Sequence, residues 1–223
     1  MSYDGSAGKA VGQQSGNPAA AQRRTRKRRR GVDSQKEVTV GLPDYVKPAL
    51  DILFVSSVYR NLCGVGINPG VTSASVGHHY AKSSNHFWPC LYESGLIPEK
   101  LLYKDDARCL DYSIGLTNMV ARTTRGSSDL SREEMRMGSE ELKQKVQDIQ
   151  PKIVCFNGKG IFEVFTGKKC KLGQQSELFP GTSAVVYVMP SSSARTASHP
   201  RASDKLEFFR ELKQLRDKMA SSS

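Results

Sequence analysis

The chain has 223 residues and a mass of 24.6 kDa, with 25% charged residues, 38% hydrophobic residues and a net charge of +11. That length suits one folded domain plus a tail, and the basic balance points to a polyanionic partner. No stretch of roughly 18 apolar residues offers a membrane-spanning helix, and Met1 to Ala21 lack the apolar run of a secretory signal.

Residues 1–37 hold nine Lys/Arg and three Asp/Glu, so a net +6 of the +11 sits there. Tyr3 is the single aromatic residue of this stretch, which is rich in Gly, Ser, Gln, Ala and Arg. Such a composition buries too little apolar area to offset its ordering entropy, so a disordered basic tail is expected. Within it Arg23, Arg24, Arg26, Lys27, Arg28, Arg29 and Arg30 form a dense block. The block is a solvated run that also suits nuclear import or a non-specific hold on DNA.

From residue 38 the chain alternates strand-like and helix-like segments. Leu62 to Ile67 reads as a first strand, while Pro48 to Arg60 gives no clean lead-in to it. Ser84 to Ser94 carries Phe87, Trp88, Leu91 and Tyr92 at helical spacing. Ile114 to Met119 reads as a second strand. Ser131 and Glu134 make a capping box that opens a helix running to Ile149. Lys152 to Phe156 reads as a third strand and Ile161 to Phe165 as a short helix. Lys168 to Thr182 reads as a loop, and Ala184 to Met189 as a fourth strand. Asp204 to Met219 is an amphipathic helix with Phe208, Leu212, Leu215 and Met219 on one stripe. Strands separated by helices, with few hairpin signals, predict an α/β fold with a mostly parallel sheet.

Five cysteines (Cys63, Cys90, Cys109, Cys155 and Cys170) include no C-x-x-C pair, so neither a zinc ribbon nor an iron–sulfur cluster has a supporting spacing. Cys63 and Cys155 lie in apolar runs, as free core thiols do, and a reduced intracellular protein is expected. His78, His79 and His86 lack nearby Cys or carboxylate partners in sequence, which gives a metal site little support.

In an open α/β sheet, ligands bind beyond the carboxyl ends of the strands. The segments after the four expected strands are Asn68-Pro69-Gly70; Thr117-Asn118, then Arg122-Thr123-Thr124; Asn157-Gly158-Lys159; and Pro190-Ser191-Ser192-Ser193-Ala194-Arg195. None ends in Asp, Glu or Cys. Three Asn side chains each offer a donor and an acceptor, as the edge of a nucleobase requires. Gly and Ser let backbone N–H groups approach phosphates, and Lys159 and Arg195 add charge. Hard-cation metal chemistry and carboxylate general-base chemistry both lack their residues here. Gly64 to Gly70 is one residue off the dinucleotide fingerprint, with Pro69 lacking an N–H. Asn157-Gly158-Lys159 is not a P-loop.

Six blocks stand in a recognisable order: Gly66-Ile67-Asn68-Pro69-Gly70, Gly77-His78-His79-Tyr80, Asn85-His86-Phe87-Trp88, Gly115 to Val120, Phe156 to Lys159, and Met189 to Arg195. They resemble the mismatch-specific thymine/uracil DNA glycosylases, with the serine-rich last block closest to the eukaryotic thymine-DNA glycosylase branch. The resemblance runs from about Leu62 to Asp217. It implies one three-layer α/β/α domain over residues 38–223, with a central sheet of four to five strands. It also implies excision of thymine or uracil from G·T and G·U mismatches, without metal or cofactor.

By that resemblance Asn68 orients the attacking water and Thr124 helps to hold it. Gly66, Ile67, Tyr80 and Asn118 form the base pocket. Tyr80 stacks on the flipped base, and backbone N–H groups around Ile67 and Tyr80 stabilise the leaving anion. Asn157, Gly158, Lys159, Ser191, Ser192, Ser193, Ala194 and Arg195 contact the DNA backbone and form a wedge. No Lys stands where a Schiff base would form, which implies a monofunctional enzyme. The implied partners are mismatched duplex DNA and downstream abasic-site repair enzymes, with no membrane, for a nuclear monomer. Plain structural roles stay open beside these: Asn68 as a turn residue, Tyr80 as a core aromatic, Asn118 as a strand-end hydrogen-bonder, Thr124 as a cap, Lys159 as a solvated helix start. A non-enzymatic DNA-binding or scaffold protein with this fold is the alternative, and a uracil-only enzyme for single strands a weaker one.

Overall fold

The computed structural model describes residues 42–56, 73, 75–120 and 131–221. Their elements are β1 (Ile52–Ser56), α1 (Phe87–Glu93), a 3₁₀ helix (Tyr103–Tyr112), β2 (Ile114–Asn118), α2 (Arg132–Ile149), β3 (Ile153–Asn157), α3 (Lys159–Thr166), β4 (Gly173–Leu178), β5 (Val185–Met189) and α4 (Ala202–Ser221).

The five strands form one sheet in the order β2-β1-β3-β5-β4. All neighbours are parallel except β4, which runs antiparallel to β5 at the edge. Every residue of β1, β2 and β3 is buried, as expected of a parallel sheet covered on both faces. Side chains alternate between the two faces with period two. Ile52 and Phe54 pack with Phe87, Leu91, Cys109, Phe209 and Leu212 from α1, the 3₁₀ helix and α4. Leu53, Val55, Val154 and Phe156 pack with Leu142, Val146 and Phe162 from α2 and α3. The result is the expected three-layer α/β/α domain.

Local chemistry explains several boundaries. The Ser131 hydroxyl accepts from the Glu134 N–H (3.1 Å), while the Glu134 carboxylate accepts from the Ser131 N–H (2.8 Å), closing the capping box that starts α2. Gly158 precedes α3 at φ 138°, a backbone that only glycine adopts with ease.

Two sequence expectations change. The strand expected at Leu62–Ile67 lies outside the described residues. The strand that takes the centre of the sheet with β3 is Ile52–Ser56, within a stretch read as no clean lead-in. Its continuous apolar run Ile-Leu-Phe-Val is the mark of a strand buried on both faces. Lys168–Thr182, read as loop, contains β4: its polar side chains are mostly exposed, and pairing with β5 at an edge overrides weak strand propensity.

Candidate active site at the carboxyl ends of the strands

From β1 the chain reaches β2 on one side, and β3 then lies on the other. The switch point therefore falls between the carboxyl ends of β1 and β3, where α/β proteins place ligands. Ser56 ends β1 and pairs in register with Asn118, which ends β2; Asn157 ends β3 and pairs with Met189, which ends β5. Three of these four terminal side chains are polar, and all are buried.

On the β1–β2 side, the Ser56 hydroxyl donates to Asn118 Oδ1 (2.8 Å). The amide oxygen is thereby engaged, and the amide is fixed. Asn118 Nδ2 is buried with no hydrogen-bond partner among the described residues. A buried donor without a partner costs about 1–3 kcal/mol, so such a group marks a place where a ligand acceptor fits.

Tyr80 lies beside this corner. Its backbone is left-handed (φ 53°), an uncommon state for an aromatic residue. One ring face stacks on Phe87 at 3.8 Å between centroids. Its hydroxyl is buried and has no hydrogen-bond partner of ordinary geometry among the described residues. Burial pushes the phenol well above its ordinary range, against the opposing pull of the nearby Asn157 and Ser56 side chains.

A buried carboxylate holds the segment that presents Tyr80. Asp106, in the 3₁₀ helix, accepts from the His79 N–H (2.9 Å) and lies 3.0 Å from His78 Nδ1. His79 Nε2 donates to the Pro43 carbonyl (2.8 Å), and burial lowers the pKa of its ring. His86 instead meets Lys205 (2.9 Å). The three histidines are thus spent on separate structural contacts, and no cluster that could hold a metal occurs among the described residues.

On the β3–β5 side, Asn157 clamps the serine-rich turn. Its Nδ2 donates to Ser192 Oγ (2.9 Å), and its Oδ1 accepts from the Ser192 N–H (2.9 Å). Asn157 is 4% exposed and Ser192 2%. Both side chains, expected on the DNA backbone, are buried and hydrogen-bonded to each other, so they brace the turn from within. Ser191, Ser193, Ala194 and Arg195 are half-buried at the surface of that turn. Ser191 and Ser193 hydroxyls accept from the N–H groups of Ser193 and Arg195 (3.3 Å each), which tightens it further. Lys159 opens α3, half-exposed, with Glu163 at 3.8 Å.

The structure brings Tyr80, Asn118, Asn157 and the 191–195 turn to one end of the sheet. Gly66, Ile67, Asn68, Thr124 and the basic block at Arg23–Arg30 lie outside the described residues. Sequence reasoning missed Ser56, Asp106 and Lys205, and weighed His86 only as a poorly supported metal ligand and as part of a family block. The continuous apolar run before Ser56 was a usable signal; the other three act through partners far away in the chain.

Residues 58–213, more than half of the chain, match the Uracil DNA glycosylase superfamily. The chain belongs to that family. Over 192 residues it is 34% identical to the G/U mismatch-specific uracil DNA glycosylase of Schizosaccharomyces pombe, a match covering 81% of this chain and 55% of that protein. The chain thus spans about half the length of this curated relative. A solution NMR structure of a candidate uracil DNA glycosylase from Methanosarcina acetivorans aligns with 78% of this chain and 98% of its own, at a TM-score of 0.45 and 18% identity.

Proposed function

We infer that the chain is a monofunctional DNA glycosylase that flips uracil or thymine out of a mismatch with guanine and hydrolyses the N-glycosidic bond. The observation that carries this reading is the buried Asn118 amide donor, fixed through its own oxygen by Ser56 and left without a partner among the described residues. Uracil and thymine present keto oxygens that accept from such a donor. Cytosine presents an amino group at the equivalent edge, and two facing donors leave each other unpaired. Membership of the family and the name of the fission-yeast relative support the same reading.

Flipping a mispaired base costs less unstacking and unpairing energy than flipping a paired one, which favours mismatches. The face of Tyr80 opposite Phe87 takes the base. Water then adds at C1′ as the bond to N1 breaks, the electron pair of that bond leaves with the base, and the proton shed by the water neutralises the departed base anion. Asn118 donates to a carbonyl oxygen that gains charge in this step. Asn68 orients the water and Thr124 holds it, as the resemblance implies; Gly66 and Ile67 complete the pocket. Gly158, Lys159, Ser191, Ser193, Ala194 and Arg195 meet the DNA, with Arg195 filling the gap left by the flipped nucleotide. The product is an intact abasic site for downstream repair enzymes. The protein works as a monomer in the nucleus, and the Arg23–Arg30 block serves import and a non-specific hold on DNA.

The test is incubation of labelled 30-mer duplexes carrying G·U, G·T, A·U or A·T, in EDTA, with wild type and Asn68→Ala, before and after hot alkali. Strand cutting at G·U and G·T only after alkali, lost in the variant, is expected. Tight binding by both proteins with no cutting would favour a binding module instead. Deleting residues 1–37 removes six net positive charges and should flatten the salt dependence of duplex affinity. An unchanged slope would remove the tail from DNA binding.

A further inference from the structure

Lys205 plays no part in the chemistry above, yet it is the one fully buried lysine among the described residues. Removing an ammonium from water costs several kcal/mol unless its partners are well placed. Its partners are two: Nζ donates to His86 Nδ1 (2.9 Å) and to the Ser193 carbonyl (2.7 Å). An ammonium only donates, so His86 Nδ1 accepts and the ring proton sits on Nε2. Cys90 of α1 and Asp204 of α4 are the other titratable groups that act on this ammonium. The Cys90 thiol, held up at about 11 chiefly by burial, stays neutral.

His86 reaches the same turn a second time, because its backbone N–H donates to the Ser192 carbonyl (3.0 Å). The single proton of the Thr196 hydroxyl reaches the Ser191 carbonyl (3.1 Å), with the Ser193 carbonyl its alternative acceptor (2.9 Å), and the Thr196 N–H donates to the Ser193 carbonyl (3.1 Å). All three serine carbonyls are therefore engaged by the protein's own donors. Exposed carbonyl oxygens carry partial negative charge and would repel phosphates. Lys205 offsets the Ser193 carbonyl and sets a positive charge directly behind the turn.

We propose that Lys205 is a positioning residue: its buried ammonium ties the residue ahead of α1 to the Ser193 carbonyl and fixes the 191–195 turn in the shape that engages duplex DNA. This rests on the glycosylase reading above. α4 itself is held by apolar contacts of Phe209 and Leu212, so loss of the ammonium acts on the turn rather than on the helix.

The experiment pairs amide hydrogen exchange with excision, in Lys205→Met and wild type of the full chain. Exchange over residues 190–196 is expected to rise about tenfold, the worth of one charge-assisted hydrogen bond, with β1 and β3 unchanged. Excision from a G·U duplex is expected to fall about tenfold more than excision of uracil from a single strand. Unchanged exchange in the turn, protection lost uniformly across the domain, or equal losses on both substrates would overturn the proposal. Should Lys205→Met not fold, His86→Leu removes the acceptor, keeps the lysine and must loosen the same segment; an unaltered turn there overturns it equally. Absence of excision by wild type bears on the glycosylase reading alone, because exchange needs no substrate.

Discussion

At the carboxyl ends of β1 and β2, Asn118 keeps a buried amide nitrogen without a partner among the described residues. At the ends of β3 and β5, Asn157 spends both ends of its amide on Ser192. The two asparagines end β2 and β3, the strands that flank β1 in one sheet, and are about equally buried, at 6% and 4% exposure. The first leaves its amide nitrogen with no partner among the described residues, as a group awaiting a ligand does; the second is held through both its nitrogen and its oxygen, as a scaffold is. Residue type and position do not separate these roles. Hydrogen-bond accounting does.

The comparison breaks most visibly at Asn157. Asn157→Ala leaves the Ser192 N–H and hydroxyl buried without their partner, an expected loss of about 1–3 kcal/mol, or roughly 4–10 °C in Tm. Thermal unfolding checks it, and an unchanged Tm would mean that the clamp carries no stability. A smaller effect sharpens the same contrast from beneath the turn. Burial lowers Lys205 from the ordinary 10.5 to about 8. Between these values the unfolded chain binds a proton that the folded chain has released, so folding gains stability as pH rises through that window. Below pH 8 both states carry the proton and the full burial cost stands. Denaturant unfolding of wild type against Lys205→Met should therefore give a difference that is flat up to pH 8 and moves in favour of wild type from there to 10.5. A difference independent of pH would contradict this burial effect.

Much of the layout was legible in sequence. The Ser131–Glu134 capping box, the strands read at Ile114–Met119, Lys152–Phe156 and Ala184–Met189, and the helix of α4 all stand within a residue or two of where the sequence put them. The polar strand ends drew attention to Asn118, Asn157 and the serine turn together. Their division of labour was not legible, because it depends on contacts between residues far apart: Asn157 with Ser192, 35 positions on, and Lys205 with His86, 119 positions back. Ser56 escaped because Pro48 to Arg60 was read as no clean lead-in, although it holds β1. Asp106 escaped because nothing in a polar 3₁₀ segment marks one carboxylate as the buried anchor of Tyr80.

The central claim is that the unpartnered Asn118 amide is the base-recognising group. Single-turnover excision of uracil opposite guanine, by wild type and Asn118→Ala, tests it most directly. A fall of about 10²-fold is the predicted result, since the donor to the reacting base is lost, while the Ser56 hydroxyl, which loses its Oδ1 acceptor, keeps the Thr117 carbonyl at 3.3 Å and limits the change in Tm. An excision rate equal to wild type would contradict the claim and return Asn118 to a strand-end hydrogen-bonder held by Ser56.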